Sequence, residues 1–232
     1  MLLTIIVPCF NEKKTIKKIL KIIKKQKIKS QVIVVDDGST DGTKQILIKL
    51  KKIFIDKLIF HKKNYGKGAA IITAKKFIKG DVVIIQDADL EYSPKDYKYL
   101  VKPIIEGKTN VVYGSRVLNK NRYLNNDFSS IFRIFANHVL TILSNLINNQ
   151  SLTDAHTCYK VIRAKVFKKI KLCEKGFSFC PELTTKLSIM NEKIIELPIS
   201  YKGRTYEEGK KINFFDGLRA IKTLIKYKLE TK

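Results

Sequence analysis

Two short stretches carry carboxylates densely enough to suggest chemistry. "QDADLE", residues 86–91, sets Asp87, Asp89 and Glu91 at alternate positions. In an extended segment residues two apart point the same way, so Asp87 and Asp89 are expected to converge. With Glu91 they offer hard oxygen ligands and no sulfur or imidazole, a set suited to Mg²⁺ or Mn²⁺ shared with a phosphate. "VIVVDDGSTDGT", residues 32–43, runs four β-branched residues into Asp36 and Asp37. Like charges that close resist ionising together unless a positive or donor-rich partner is near. A nucleobase N–H or a ribose hydroxyl would serve, and the expected partner is a nucleoside. A solvated acidic turn is the plainer account of 87–91, and a second acidic pair at the same predicted sheet edge argues against it.

Groups suited to anions surround these acids. "NYGKGAA" (64–70) opens a helix with two glycines and Lys67, which lets backbone N–H groups approach a phosphate. It is no P-loop, because "GKG" lacks the following Ser or Thr, and no GxGxxG follows the first strand. Arg116 stands immediately after the fifth predicted strand. A phospho-receiver domain would carry its acids after strands one and three, whereas here they follow strands two and four. Acids for a metal, a donor-rich loop and cations in one crevice describe a nucleoside diphosphate site. A metal there would neutralise charge growing on a departing diphosphate.

The elements that position these residues follow from periodicity. Short apolar runs at 2–8, 31–36, 56–61, 81–86 and 109–115 read as strands. Amphipathic helices are predicted between them at 11–26, capped by Asn11, at 40–53, at 66–80, closed by Gly80, and at 94–107, where Pro103 bends or ends the helix. This alternation predicts an α/β fold with a parallel sheet covered on both faces and ligands at the carboxyl ends of its strands. After residue 116 the pattern changes. Residues 128–147 are apolar around most of a helix, with Arg133, Asn137, Thr141 and Asn145 forming a narrow polar stripe. That pattern fits a buried helix or one partly facing a membrane. Residues 197–204 read as a strand entering a loop, and 214–232 as a basic amphipathic helix. One domain is expected, with 1–116 as its donor-binding half and 117–232 as its acceptor-side, membrane-proximal elaboration.

Composition narrows the partners. A chain of 232 residues with 44% hydrophobic content can bury a core. Its 46 Lys and Arg against 21 Asp and Glu give a net charge of +25. Compositional drift toward lysine needs no ligand; nucleic acid, anionic lipid and phosphorylated substrates are the functional readings. Nucleic acid is disfavoured, since no helix-turn-helix, zinc-finger or RNP-like signature is present. An anionic membrane attracts such a chain by about 1 kcal/mol per well-placed Lys or Arg. No apolar run spans a membrane, and "LLTIIVP" (2–8) reads as a strand without a signal-peptide n-region, so a cytoplasmic protein is expected. His156, Cys158, Cys173 and Cys180 are spaced too loosely for structural zinc, and reduced, buried thiols are expected.

"TIIVPCFNE", "VIVVDDGSTDGT", "NYGKGAA", "GDVVIIQDAD" and "VVYGSR" together resemble the family 2 inverting glycosyltransferases of GT-A fold. The match runs on through "TDAHTCYKVIRAKVF", "GFSFCPEL" and "ELPISYKGRTYEEGKK", which resemble the polyprenyl-phosphate (dolichyl-phosphate) mannose synthase branch in its bacterial form. The resemblance implies a mainly parallel sheet flanked by helices and a nucleotide-sugar donor of GDP-mannose or UDP-glucose type. It implies that Pro8, Phe10, Glu12, Asp37 and Lys67 lie near the nucleoside and diphosphate, with Asp36, Gly38 and Ala88 in the same loops. Asp87 and Asp89 would bind metal and diphosphate, with Glu91 completing the metal site. Arg116, Arg204 and Lys210 would lie near the phosphates. Asp154 and Glu182 fall to the acceptor side. A polyprenyl phosphate is already ionised, so no strong general base is needed.

Two departures touch the acceptor. Ser129 and Arg133 stand where eukaryotic relatives carry an Arg and a Ser before the position of Asn137, and "EEGKK" (207–211) replaces a "GxSK" loop while keeping Lys210. The resemblance therefore implies a lipid acceptor met peripherally at the inner face of the cytoplasmic membrane, or through a membrane-protein partner. Transfer to a glycan or another non-lipid acceptor is the alternative, and a non-catalytic basic binding module is a further one.

Overall fold

The computed structural model describes residues 1–118, 128–203 and 214–230. Seven strands form one sheet: β1 (Leu3–Cys9), β2 (Ser30–Asp36), β3 (Lys57–Phe60), β4 (Val82–Ile85), β5 (Val111–Ser115), β6 (Lys160–Arg163) and β7 (Ile194–Pro198). β1 and β4 are buried at every position, as parallel strands covered on both faces must be. The spatial order is β3-β2-β1-β4-β6-β5-β7. Chain order runs outward from β1 through β2 to β3, and then jumps to β4 on the other side. That reversal opens a crevice at the carboxyl ends of β1 and β4, where doubly wound sheets bind ligands.

The sheet is mainly parallel, as expected, with one exception. β6 lies antiparallel between β4 and β5. Together with β7, which pairs in parallel with β5, it brings the second half of the chain into the same sheet. The apolar pattern gave no warning of β6, because "KVIR" places a lysine at the centre of a sheet. Lys160 is fully buried there. Its ammonium lies 3.8 Å from the Tyr113 ring centroid and donates to the Ala155 carbonyl at 2.8 Å. Ring and carbonyl together replace lost hydration.

The helices are α1 (Ile16–Lys25), α2 (Thr43–Phe54), α3 (Lys67–Lys75), α4 (Tyr97–Ile105), α5 (Phe128–Asn148), α6 (Ala164–Lys169), α7 (Phe179–Ile189) and α8 (Phe214–Leu229). Several boundaries differ from expectation. Asn11 does not cap α1: it sits at φ 53°, its side chain accepts the Thr40 N–H, and Thr15 takes the cap position. α3 stops at Lys75, and Gly80 instead serves a close approach. A Cβ there would lie 2.5 Å from the Leu2 carbonyl oxygen, while its N–H donates to Thr4 Oγ1. α4 continues through Pro103, which falls near enough to its end for one lost backbone bond to be tolerated. β7 begins at Ile194, before the predicted 197, and α6 and α7 were not predicted.

α5 turns its polar side inward. Thr141, Ser144 and Asn148 are buried, whereas Phe135, Val139, Ile142 and Leu146 are exposed. Thr141 Oγ1 accepts the Ala155 N–H, and the Asn145 amide pairs with both backbone groups of Leu152. Within the predicted stripe, Thr141 and Asn145 thus face the protein, where they satisfy the loop 152–155 beneath them, and the side chain of Arg133 lies outside the described residues. α8 packs against α5 and α7.

Candidate active site

Asp36 and Asp37 end β2 with 1% and 3% of their surface exposed, yet both find donors inside the protein. Ser39 Oγ donates to Asp36 Oδ1 at 2.5 Å, and burial pushes the Asp36 carboxyl above its ordinary range. Asp37 Oδ1 meets His61 Nδ1 at 2.6 Å and accepts the Tyr65 N–H at 3.0 Å; Oδ2 accepts the Gly66 N–H at 2.7 Å. His61 is held in turn by Thr73 Oγ1 at 2.9 Å. The pair therefore does not depend on a nucleoside for its donors, contrary to the sequence expectation. Asp37 fixes the turn that launches α3. His61 carried no sequence signal: it stands alone after β3, and only the parallel β2–β3 register brings it to Asp37.

That turn is built from glycines by necessity. Gly66 has φ 101°, and a Cβ on it would lie 2.5 Å from the Lys175 carbonyl oxygen. A Cβ on Gly68 would overlap the Glu174 carbonyl oxygen. Gly38 has φ 75° and runs so close to the Lys63 backbone that a Cβ would lie 2.5 Å from its carbonyl carbon. The approaches at Gly66 and Gly68 press the loop 173–176 onto the N-terminus of α3. Glu182 braces that loop from below. Fully buried, it accepts the N–H groups of Cys173 and Glu174 at 2.7 and 2.8 Å and pairs with Lys186. Its carboxylate is fully engaged by these bonds within the fold.

Lys67 reaches from α3 to the turn after β4. Its ammonium lies 2.5 Å from Asp87 Oδ1 and 2.9 Å from Cys158 Sγ. Burial, the largest single influence, would lower its pKa, but the Asp87 charge, the nearby Cys158 and Cys180 and the hydrogen bond to Asp87 together outweigh it and raise the pKa well above the usual lysine value. Gln86 anchors the acidic turn. Its Oε1 accepts the Tyr97 and Tyr159 hydroxyls at 2.6 Å each, and its Nε2 donates to the Asp87 carbonyl at 2.9 Å.

β4 ends at Ile85 and residues 88–89 form a turn, so the strand alternation of the sequence reading does not run on to Glu91. Leu90 takes φ 67°, Asp89 Oδ1 accepts the Glu91 N–H at 3.1 Å, and Glu91 Oε2 accepts the Tyr201 hydroxyl at 2.8 Å. Glu91 faces Tyr201 and does not join a three-carboxylate cage. No group of three or more His, Cys, Asp or Glu converges to hold a metal among the described residues. Asp87 and Asp89 nonetheless fit a hard divalent cation by their oxygen chemistry. Mg²⁺-type sites commonly take one or two carboxylates and leave the remaining positions to water and substrate phosphate.

Arg116 is oriented by Asp154. Its Nε and Nη2 each donate at 2.7 Å to the two carboxylate oxygens, and its N–H adds a third bond at 3.0 Å. The guanidinium lies 5.3 Å from the Tyr201 ring centroid. Burial pushes the Asp154 carboxyl up, but the Arg116 charge and hydrogen bonds overcome it and hold it below its ordinary range. Thr153 and Asp154 are pinned by N–H bonds to the Glu196 carboxylate at 2.6 and 2.9 Å.

Pro8 and Ala88 are buried, Phe10 is half-buried, and Glu12 is buried with Oε2 accepting the Thr15 hydroxyl at 2.7 Å. Arg204, Lys210 and the side chains of Ser129 and Arg133 lie outside the described residues. All four cysteines are free; Cys9, Cys158 and Cys180 are buried, whereas Cys173 is exposed.

Comparison with known proteins agrees with this architecture. Residues 4–171 match the family model described as glycosyl transferase family 2. A Methanocaldococcus jannaschii protein of unassigned function is 29% identical over 97% of this chain and 91% of its own length. A Methanococcus voltae UDP-N-acetylglucosamine–dolichyl-phosphate N-acetylglucosaminyltransferase is 25% identical over 98% of this chain and 96% of the relative. An undecaprenyl-phosphate 4-deoxy-4-formamido-L-arabinose transferase of Photorhabdus laumondii is 25% identical over 89% of this chain and 62% of the relative. Among solved structures, glucosyl-3-phosphoglycerate synthase of Mycobacterium tuberculosis, crystallised with Mn²⁺ and UDP, superposes with a TM-score of 0.68 at 17% identity, covering 97% of this chain and 79% of that one. Sheet order, the crevice at its switch point and the family match agree: the chain belongs to glycosyl transferase family 2 and is a glycosyltransferase of GT-A fold.

Proposed function

We propose that this enzyme transfers a hexose, with inversion, from a nucleotide sugar of GDP-mannose or UDP-glucose type to a polyprenyl phosphate at the cytoplasmic face of a membrane, in the manner of the polyprenyl-phosphate mannose synthase branch. The observation that carries the donor half is the bond between Lys67 and Asp87, with Asp37 holding the other side of the same turn. A cation, a glycine turn and two aspartates at the ends of β2 and β4 suit a diphosphate bound with a divalent metal. Asp87 and Asp89 would hold that metal, which supplies charge neutralisation on the leaving diphosphate. Lys67 adds a protein cation, and Arg116, kept rigid by Asp154, adds a second. Residues 1–116 form the donor half on this reading, and 117–232 the acceptor half, with Arg204 and Lys210 toward the phosphates.

The acceptor half is supported by two relatives whose names specify dolichyl-phosphate and undecaprenyl-phosphate acceptors. A phosphate oxygen attacks the anomeric carbon as the bond to the diphosphate breaks on the opposite face. The phosphate is ionised at neutral pH, so no protein base is needed. Among the described residues no helix is long and apolar enough to cross a membrane, and the lipid is met at its headgroup. The test is transfer of labelled sugar from GDP-mannose, UDP-glucose and UDP-N-acetylglucosamine into an extracted polyprenyl-phosphate pool with Mg²⁺ or Mn²⁺. Transfer to a soluble glycan but not to the lipid pool would overturn the acceptor, and no transfer from any donor would overturn the reading.

A further inference from the structure

α5 and α8 present their apolar residues to solvent. On α5, Phe135, Val139, Ile142 and Leu146 recur at intervals of four, three and four, and Leu146 is 75% exposed. At 1.5 Å per residue they form one line about 17 Å long. On α8, Phe215, Leu218, Ile225 and Leu229 are exposed by 66%, 51%, 48% and 61%. These eight are nearly half of the 17 large apolar side chains exposed among the described residues. Two helices packed on each other therefore carry nearly half of these exposed apolar side chains, and a Cβ on Gly217 of α8 would touch Leu140 of α5 at 4.0 Å. A shallow apolar groove along α8 is lined by Leu218, Ile221, Lys222, Ile225 and Lys226.

We propose that α5 and α8 together form a docking face for an anionic bilayer, lying in the interfacial plane with their apolar stripes among the acyl chains. Charge selects this occupant over a second copy of the chain. Arg219, Lys222, Lys226 and Lys228 stand among the apolar residues of α8, opposed on that helix by Asp216 alone. A two-fold contact would bring two such faces together on chains of charge +25 each. An anionic surface gains from the same cations, and long side chains carry their charge to the headgroups while their stems stay apolar. The inverted burial of α5 supports the assignment: Thr141 and Asn145 bond the loop 152–155 and Asn148 bonds Thr185 of α7, which leaves the line of Phe135, Val139, Ile142 and Leu146 outside to be covered. The face rests on the proposed lipid acceptor for its purpose and not for its binding.

The test is flotation of the full chain with vesicles of phosphatidylcholine alone and with about one-third phosphatidylglycerol, without donor or acceptor. Wild type is expected to float with the anionic vesicles and to be released by salt. Ile142→Ser with Leu146→Ser, and separately Leu218→Ser with Ile225→Ser, should each lower partitioning about tenfold or more, with melting temperature unchanged. Lys222→Glu should lower it about tenfold and weaken the salt dependence. Failure to float with either vesicle, wild-type binding by the serine variants, or a lipid-free dimer that those variants dissociate would each overturn the proposal. Vesicle binding without any sugar transfer would sink the acceptor reading and leave the face standing. Transfer to detergent-dispersed polyprenyl phosphate without vesicle binding would sink the face alone.

Discussion

Lys67 and Asp87 meet at 2.5 Å across the crevice, one opening α3 and the other closing the turn after β4. The neighbouring Gly66 N–H is held by Asp37 at the end of β2. Acids from two strands separated by β1 therefore grip the two sides of one glycine turn. An anion arriving there meets a lysine already positioned, with a partner it can exchange.

Removing either member of the pair should separate catalysis from folding. Lys67→Met is expected to lower transfer about 100-fold or more, by loss of a preorganised cation. Asp87→Ala should abolish metal-dependent transfer and cost about 2–4 kcal/mol, because it strands a mostly buried ammonium. The double variant Lys67→Met with Asp87→Ala should be more stable than Asp87→Ala alone. Urea melts of the three variants check this.

Metal and donor should bind together. While Lys67 occupies Asp87, Mn²⁺ alone should raise the melting temperature little. A nucleoside diphosphate gives Lys67 another partner and frees the carboxylate. Both ligands at about a hundredfold excess over their dissociation constants should then stabilise by about 2.7 kcal/mol or more. Chelation should abolish transfer. A full thermal shift with metal alone would contradict the exchange.

Asp154→Ala should cost about 3–5 kcal/mol, since it leaves the Arg116 guanidinium buried without its carboxylate. Arg116→Lys should not substitute, because an ammonium cannot make the bidentate contact. The folded Asp154 carboxyl lies below its ordinary value of 3.8. Its contribution is therefore complete above that value and is lost as pH falls through the depressed folded one. Acid unfolding of wild type against Asp154→Asn reports it.

His156 should give a milder acid dependence. Burial first, and the Lys160 charge second, lower its pKa from 6.5 to about 4, and its Nε2 is buried without a hydrogen-bond partner. Between those values the unfolded chain binds a proton that the folded chain refuses, so stability falls as pH drops from 6.5 toward 4. The loss should reach about 3 kcal/mol. His156→Gln should flatten the slope in that window, measured by urea midpoints at successive pH values.

Gly68→Ala inverts the usual helix rule. Alanine is ordinarily better than glycine inside a helix by about 1 kcal/mol. Here its methyl would overlap the Glu174 carbonyl oxygen. The substitution should destabilise by about 1–3 kcal/mol and lift the loop 173–176. A thermal melt with hydrogen exchange at Ala69, whose N–H donates to the Lys175 carbonyl, reads both effects.

The strands lining the crevice were legible because burial on both faces leaves continuous apolar runs, as in "TIIV" and "VIVV". The acids at their ends stood out for the same reason, being charges at the border of the core. β6 was hidden because Lys160 breaks such a run, and its acceptability depends on Tyr113 and the Ala155 carbonyl, which only packing supplies. The polar stripe of α5 was visible, but its direction was not. Periodicity shows that a helix has two faces, and which one turns inward depends on what the facing loop can bond.

Sequence by itself determined the α/β alternation, the acidic strand ends, the glycine turn and the excess of positive charge, since each is local in the chain. Tertiary structure alone decided which groups meet. His61 reaches Asp37 across 24 residues, and Lys67 reaches Cys158 across 91. Such pairings follow from strand order and register, which bring remote segments into contact and which local periodicity does not encode.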